Sequence, residues 1–257
     1  MKNLLFILYG LSVITCSCKK SFEYSSTRLK GGILIVDETN HPISDYSGVS
    51  ITSENSDIAN ISLDVNGEFY FPGLVDNSAY LTLKVSKTGY GTVIHHYTKA
   101  QLDSFRNQGS TTSDLDFVLL PQSSVTVNSL SGTLGGDKFK MVYNVTLAQV
   151  KPTNGVTFFL SKNNSQVSYD NWTGNIANSR AWTLPVTSGD NLYSFCFKRT
   201  IDCNCDFLSP GDTVFIKAYG DTYSPFGNSY FDIRTGQLIF PSINANSSSS
   251  TISFVVP

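Results

Sequence analysis

"ISLDVNGEFYF" (residues 61–71) sets two alternating arms around Asn66-Gly67. Asn-Gly tolerates the positive φ angles of a type I′ turn, so the stretch predicts a β-hairpin closed by a tight loop. The same alternation runs outward on both sides. Upstream, "GGILIV" (31–36) reads as a first strand, "DETNHPI" (37–43) as a polar turn and "GVSIT" (48–52) as a second strand. Downstream, "AYLTLKVSKTGY" (79–90) puts Leu81, Leu83 and Val85 on one face and Thr82, Lys84 and Ser86 on the other. That period of two marks a half-buried strand. "GTVIHHY" (91–97) predicts the next strand, and "TKAQLDSF" (98–105) a helical turn or two with Thr98 as N-cap. "SDLDFVLLP" (113–121) closes the module at Pro121. Short alternating runs separated by turn signals predict an all-β sandwich.

Beyond Pro121 the pattern repeats. "SVTVNSL" (124–130), "FKMVYNVTL" (139–147), "VTFFLSK" (156–162), "AWTLPV" (181–186), "NLYSFCFK" (191–198) and "TVFIKAY" (213–219) are strand candidates. "TISFVVP" (251–257) supplies a last one, after an expected flexible run "NANSSSS" (244–250). These runs predict a second sandwich. The expected fold class is therefore all-β, with two consecutive β-sandwich domains at residues 29–121 and 122–257.

Residues 1–28 read differently. Lys2 precedes an apolar segment, "LLFILYGLSVI" (4–14), far shorter than the roughly 20 residues a membrane-spanning helix needs. A positive start, a short apolar run and small residues before a cut describe a secretion signal. The competing reading is a buried first helix, against which stand the polar flanks and the absence of an amphipathic period. "TCSCKK" (15–20) follows directly. It resembles the lipobox of bacterial lipoproteins, and its "SCKK" ending is similar to those of the Bacteroidota. The resemblance implies cleavage after residue 17, lipidation of Cys18 and a tether over 18–28; Cys16 is the other candidate, with Thr15 rather than Ser17 before the cut. Lys19 after the anchor resembles lipoproteins released to the outer membrane. The physical basis is acyl burial, at ~0.8 kcal/mol per methylene.

Two further resemblances concern the modules. "GGILIVDETNHPISDYSGVSIT", "LDVNGEFYFPGL" and "LTLKVSKTGY" resemble the carboxypeptidase regulatory-like domain, a transthyretin-like sandwich, with an insertion around "HHYTKAQLDSFRNQGSTTS". That likeness implies a folding and spacing module rather than an active site. "LSPGDTVFIKAYG" (208–220) resembles the strand E to strand F corner of fibronectin type III domains. Asp212 stands where a threonine is usual there, and Val214 where a tyrosine is usual.

Composition narrows the function classes. Charged residues make up 15% of the chain, below the ~25% of a typical soluble domain. Lys plus Arg number 18 against 20 Asp plus Glu, so no basic field exists to attract nucleic acid. The histidines are His41, His95 and His96; the adjacent pair sits on a strand, where neighbours point to opposite faces and cannot share a metal without distortion. Asp64, Asn66 and Glu68 lack the further oxygen ligands of a calcium loop. Cys196, Cys203 and Cys205 form "CFKRTIDCNC". An oxidising compartment favours a disulfide among them with Cys196 as a partner, because Cys203 and Cys205 are too close for an unstrained bond. A free thiol or zinc is the alternative, and zinc would need a fourth ligand.

There is no Gly-x-Ser-x-Gly elbow, no His-Glu-x-x-His and no phosphate-cradling loop. The sequence therefore reads as non-catalytic, without cofactor or metal. Aromatics in loops are the candidate binding residues: Tyr169, Trp172 and Trp182 in "SYDNWTGNIANSRAW", and Tyr223, Phe226 and Tyr230 in "DTYSPFGNSYF". With Asn and Asp beside them such rings can stack on sugars; the competing role is core or loop packing. The expected partners are a membrane, through the lipid anchor, and a glycan or protein ligand at the cell surface. The expected function is a lipid-anchored binding or structural module, with a glycan-binding accessory lipoprotein of a polysaccharide uptake system as the alternative.

Overall fold

The computed structural model describes residues 29–54, 61–71, 80–107, 115–135, 138–172, 179–196 and 208–257. The leader, Cys16, Cys18 and the tether lie outside them. The chain is all-β, with several sheets and one short helix among the described residues.

The first half contributes β1 (Leu29–Val36), β2 (Pro42–Ile43), β3 (Ser50–Ser53), β4 (Glu68–Phe71), β5 (Tyr80–Ser86), β6 (Val93–Thr98), α1 (Lys99–Asn107) and β7 (Leu115–Leu119). One sheet runs β2-β1-β4, with β7 lying parallel to β1; the other runs β3-β5-β6. In the parallel pair, Gly31 to Ile35 face Leu115 to Leu119. Leu81, Leu83 and Val85 turn inward as their period of two requires, and meet Ile33, Ile35, Phe69, Phe71, Phe117 and Leu119 in one buried core. Helix α1 starts at a reciprocal cap. Thr98 Oγ1 accepts the Gln101 N–H at 3.2 Å, and Gln101 Oε1 accepts the Thr98 N–H at 2.8 Å. Leu102 is the helix residue that drops fully into the core.

The turn of the 61–71 stretch differs from the expected type I′ form. Gly67 has φ +77°, but Asn66 is not in the positive-φ region. The Asp64 carboxylate accepts the N–H groups of Asn66 (2.9 Å) and Glu68 (2.8 Å), while the Gly67 N–H reaches the Asp64 carbonyl at 3.2 Å. A short acid placed before Asn-Gly thus draws the chain into a four-residue turn, with only glycine in the left-handed region. The upstream arm contributes a single bridge, Leu63 to Phe69, and β4 pairs with β1 instead.

The second half contributes β8 (Thr126–Gly135), β9 (Lys138–Thr146), β10 (Asn154–Lys162), β11 (Ser179–Pro185), β12 (Gly189–Cys196), β13 (Thr213–Thr222), β14 (Tyr230–Asp232), β15 (Gln237–Ile239) and β16 (Ile252–Val255). A three-stranded sheet, β12-β9-β8, faces a four-stranded one, β11-β10-β13-β16. Between them Phe139, Met141, Tyr143, Phe158, Val214, Ile216 and Phe254 form a second core.

The four-stranded sheet is covered on its outer face as well. Phe159 and Tyr219, which point away from the second core, are roofed by Val167, Trp172, Phe240 and Ile243 from two loops. Strand β10 is consequently buried on both sides along nearly its whole length.

The serine run expected to be flexible is pinned to both sheets of the second half. Ser247 Oγ accepts the Val127 N–H at 3.0 Å, Ser249 Oγ accepts the Ala218 N–H at 3.0 Å, and Ser248 bridges Tyr219. Serine hydroxyls can take backbone donors, which composition alone does not reveal.

Candidate functional site

The two halves meet along a polar seam. The β14–β15 hairpin sits against the edge of β6, where the Ile94 N–H donates to Tyr230 Oη at 3.2 Å. The Tyr230 ring lies 4.9 Å from that of His95, which also meets Phe117 at 4.8 Å. On the opposite face of β6, His96 Nδ1 pairs with Thr82 Oγ1 at 2.8 Å, and its Nε2 lies 3.6 Å from Asp232. The adjacent histidines thus point apart, as strand geometry demands. Burial drives the His95 imidazole down to about 4, and also lowers His96 against the opposing pull of Asp232. Further along the seam, Thr222 Oγ1 donates to the Pro121 carbonyl (2.6 Å) and Thr153 Oγ1 to the Glu38 carbonyl (3.0 Å).

Asp221, at the end of β13, is fully buried. Its carboxylate accepts from Thr157 Oγ1 (2.5 Å), the Thr222 N–H (2.7 Å), Ser242 Oγ (2.8 Å) and Asn228 Nδ2 (3.3 Å). Asn228 also donates to Thr183 Oγ1, which in turn bonds Thr157 Oγ1. This network fastens the 223–242 excursion to β10 and β11. Desolvation raises the acid to about 6, and the surrounding donors hold it from going higher. Each of its oxygens is occupied by two donors, so it serves the fold rather than a substrate.

The six aromatics singled out from the sequence divide by burial. Trp172 is only 4% exposed and packs edge-on against Phe159, which is the packing role set beside sugar stacking for these rings. Trp182 points into the second core, stacked 5.6 Å from Phe158. The buried Nε1 of both tryptophans lacks a hydrogen-bond partner, so each ring is held for its area and not for its polar tip. Tyr223 and Tyr230 are half-buried, the latter in the seam. Tyr169 and Phe226 keep exposed rings, at 37% and 44%. Cys196 lies in β12 opposite Lys138, while Cys203 and Cys205 fall outside the described residues, as does any pairing among the three.

Tyr169 is fixed from below. Its ring stands edge-on to buried Tyr219 at 5.4 Å, while Lys217 Nζ lies 5.3 Å from the same Tyr219 ring. The loop carrying Tyr169 is held by Asn164, whose side chain accepts the Gln166 N–H at 3.0 Å, and by Ser168, whose hydroxyl donates to Asp170 at 2.5 Å. Lys217 and Tyr219 were read from sequence only as part of the fibronectin-like corner. The signal that would have marked them is the period of two in "TVFIKAY", which sends Phe215, Lys217 and Tyr219 outward while Val214, Ile216 and Ala218 fill the core.

No family model matches the chain, and no curated protein matches it. Among solved structures it is similar to a DUF3823 family protein from Bacteroides ovatus, at 7% identity and TM-score 0.32, covering 90% of this chain and all of that one. A "putative carbohydrate binding protein" from Bacteroides uniformis matches at 10% identity and TM-score 0.30, covering 89% and 99% of the two chains. A DUF3823 family protein from Parabacteroides merdae matches at 8% identity and TM-score 0.29, covering 88% and 98%. At such TM-scores these likenesses carry no functional weight.

Proposed function

We propose that the chain is a non-catalytic, lipid-anchored protein of the cell envelope that acts by contact, as a binding or structural module. The observation that carries this reading is the use made of its buried titratable groups. His95 and His96 are committed to contacts with Tyr230 and Asp232 that fix one half of the chain against the other, and Asp221 to bonds that fasten the 223–242 excursion within the second half. A molecule that spends its buried acid and imidazoles on rigidity holds a surface in a set orientation. The seven strands of the second half, three facing four, support a fibronectin type III-like sandwich there. The seven strands of the first half, in a four-stranded and a three-stranded sheet, similarly support the regulatory-like module. Anchoring is tested by mass spectrometry of the native protein from its membrane fraction. The expected product begins at Cys18 and carries a thioether-linked diacylglycerol. An intact leader, or an unmodified thiol at that residue, overturns the anchor.

A second reading, a glycan-binding accessory lipoprotein of a polysaccharide uptake system, is favoured by Tyr169. A partly exposed aromatic ring braced from beneath by a second, buried ring is a firm stacking surface at little entropic cost. Trp172, named beside Tyr169 as a candidate, belongs to the roof of the sheet and would report on folding if changed.

A further inference from the structure

Lys217 is out of place electrostatically. The other half-buried lysines each have a carboxylate within reach: Lys30 with Glu68 at 2.6 Å, Lys87 with Asp45 at 3.9 Å, Lys151 with Glu38 at 2.6 Å and Lys162 with Asp212 at 3.3 Å. Among the described residues Lys217 has none. Its neighbours are apolar or aromatic instead. Phe159 faces it from β10, Phe215 and Tyr219 flank it on its own strand, and its ammonium lies 5.3 Å from the Tyr219 ring centroid. A cation on an aromatic bed is attracted by the ring quadrupole, yet no carboxylate among the described residues compensates its field. Tyr169 rests on that same Tyr219 ring, so the exposed phenol and the unpaired ammonium lie within the span of one or two sugar rings. Asp170, the acid next to Tyr169, is engaged by the Ser168 hydroxyl.

We infer that this corner of the four-stranded sheet is a site for acidic sugars, in which a pyranose stacks on Tyr169 and a carboxylate or sulfate of the same or the next residue pairs with Lys217 Nζ. The inference rests on the glycan reading and goes further by naming the class of glycan. An anion arriving at Lys217 supplies the counter-charge that the fold withholds. Partial burial by Phe215 and Tyr219 makes that pair less screened than one on open surface.

The test uses the full-length protein in detergent and two matched pairs of ligands: oligogalacturonate with its methyl ester, and a sulfated galactan oligosaccharide with its desulfated form. Calorimetry is expected to show at least tenfold tighter binding of an acidic member over its neutral partner, with the advantage eroded by 0.5 M salt. Which pair shows the difference identifies carboxylate or sulfate as the recognised group. Lys217→Met keeps the alkyl stem and is expected to bring the acidic ligand down to the affinity of the neutral one. Tyr169→Ala is expected to weaken acidic and neutral forms alike, with unchanged melting temperature as the folding control for both variants. Equal binding of acidic and neutral forms, sensitive to Tyr169→Ala but not to Lys217→Met, overturns the acidic-sugar inference and leaves the glycan reading standing. Absence of binding to these ligands and to a broad glycan array removes both.

Discussion

Asp221 is an acid that folding places where its charge is least welcome. Its ordinary value of 3.8 rises to about 6 because burial outweighs the donors around it. Below pH 3.8 the carboxyl is protonated in folded and unfolded chains alike, and its contribution is fully present. As the pH climbs through 6 the folded chain must ionise a buried group, and stability on the order of 3 kcal/mol is lost across that window. Asp37 and Asp45 act with the opposite sign. Hydrogen bonds from the His41 N–H and from Ser47 hold their carboxyls below the usual range, so their contribution is lost as the pH falls. A comparison with Asp221→Asn isolates the buried group, because the other carboxylates cancel. Urea unfolding at pH 4 and pH 7.5 is expected to show the stability difference moving in the variant's favour at the higher pH. A difference that stays constant would mean that Asp221 titrates alike in the folded and unfolded chains, and that burial does not raise it.

At the scale of elements, the turns separate conformational strain from collision. Gly48 and Gly67 both have positive φ, +71° and +77°. A methyl group at Gly48 would meet nothing within 4 Å, whereas at Gly67 it would run into the Tyr46 ring. Gly48→Ala is expected to cost about 1 kcal/mol, the penalty for a left-handed L-residue. Gly67→Ala is expected to cost more, by roughly 1–3 kcal/mol of overpacking. Guanidinium unfolding of the two variants checks the order.

Most strands were legible because Leu81, Leu83 and Val85, or Val214, Ile216 and Ala218, alternate cleanly with outward residues. Helix α1 was legible from Thr98 and its cap. The β14–β15 hairpin was not. Its arms are three residues each, and the informative Gly236, at φ +68°, sits in a polar stretch that resembles any loop. The candidate site was legible only in part for a related reason. Sequence shows which residues are aromatic, but Trp172 and Tyr169 stand in one loop, and only the packing against Phe159 and Tyr219 decides that the first is covered and the second is not. Lys217 became visible as a candidate only once the carboxylate partners of the other half-buried lysines were known.

For the molecule as a whole, the seam decides whether the halves behave separately. Gly91 lies so close to the second half that a Cβ there would come within 2.5 Å of the Pro241 carbonyl oxygen and 2.9 Å of the Ser242 nitrogen. With Tyr230, Thr222 and Thr153 all hydrogen-bonded across the seam, the described chain is expected to unfold in one cooperative step. Both tryptophans belong to the second half, so their fluorescence follows that half while far-UV circular dichroism follows both. The two signals are expected to give coincident transitions in the natural chain and separate ones in Gly91→Ala. Separate transitions in the natural chain would show that the seam is too weak to couple the cores.

The side-by-side course of β1 and β7 has a mechanical consequence. The chain before Leu29 and the chain after Leu119 leave this pair from opposite ends. On the proposed anchoring and binding, a pull between an N-terminal tether and a ligand on the second half would load the hydrogen bonds from Gly31–Ile35 to Leu115–Leu119 in shear, all at once. Such a clamp resists drag far better than a hairpin peeled open one rung at a time, and it lets a protein held at one end keep its grip in flow.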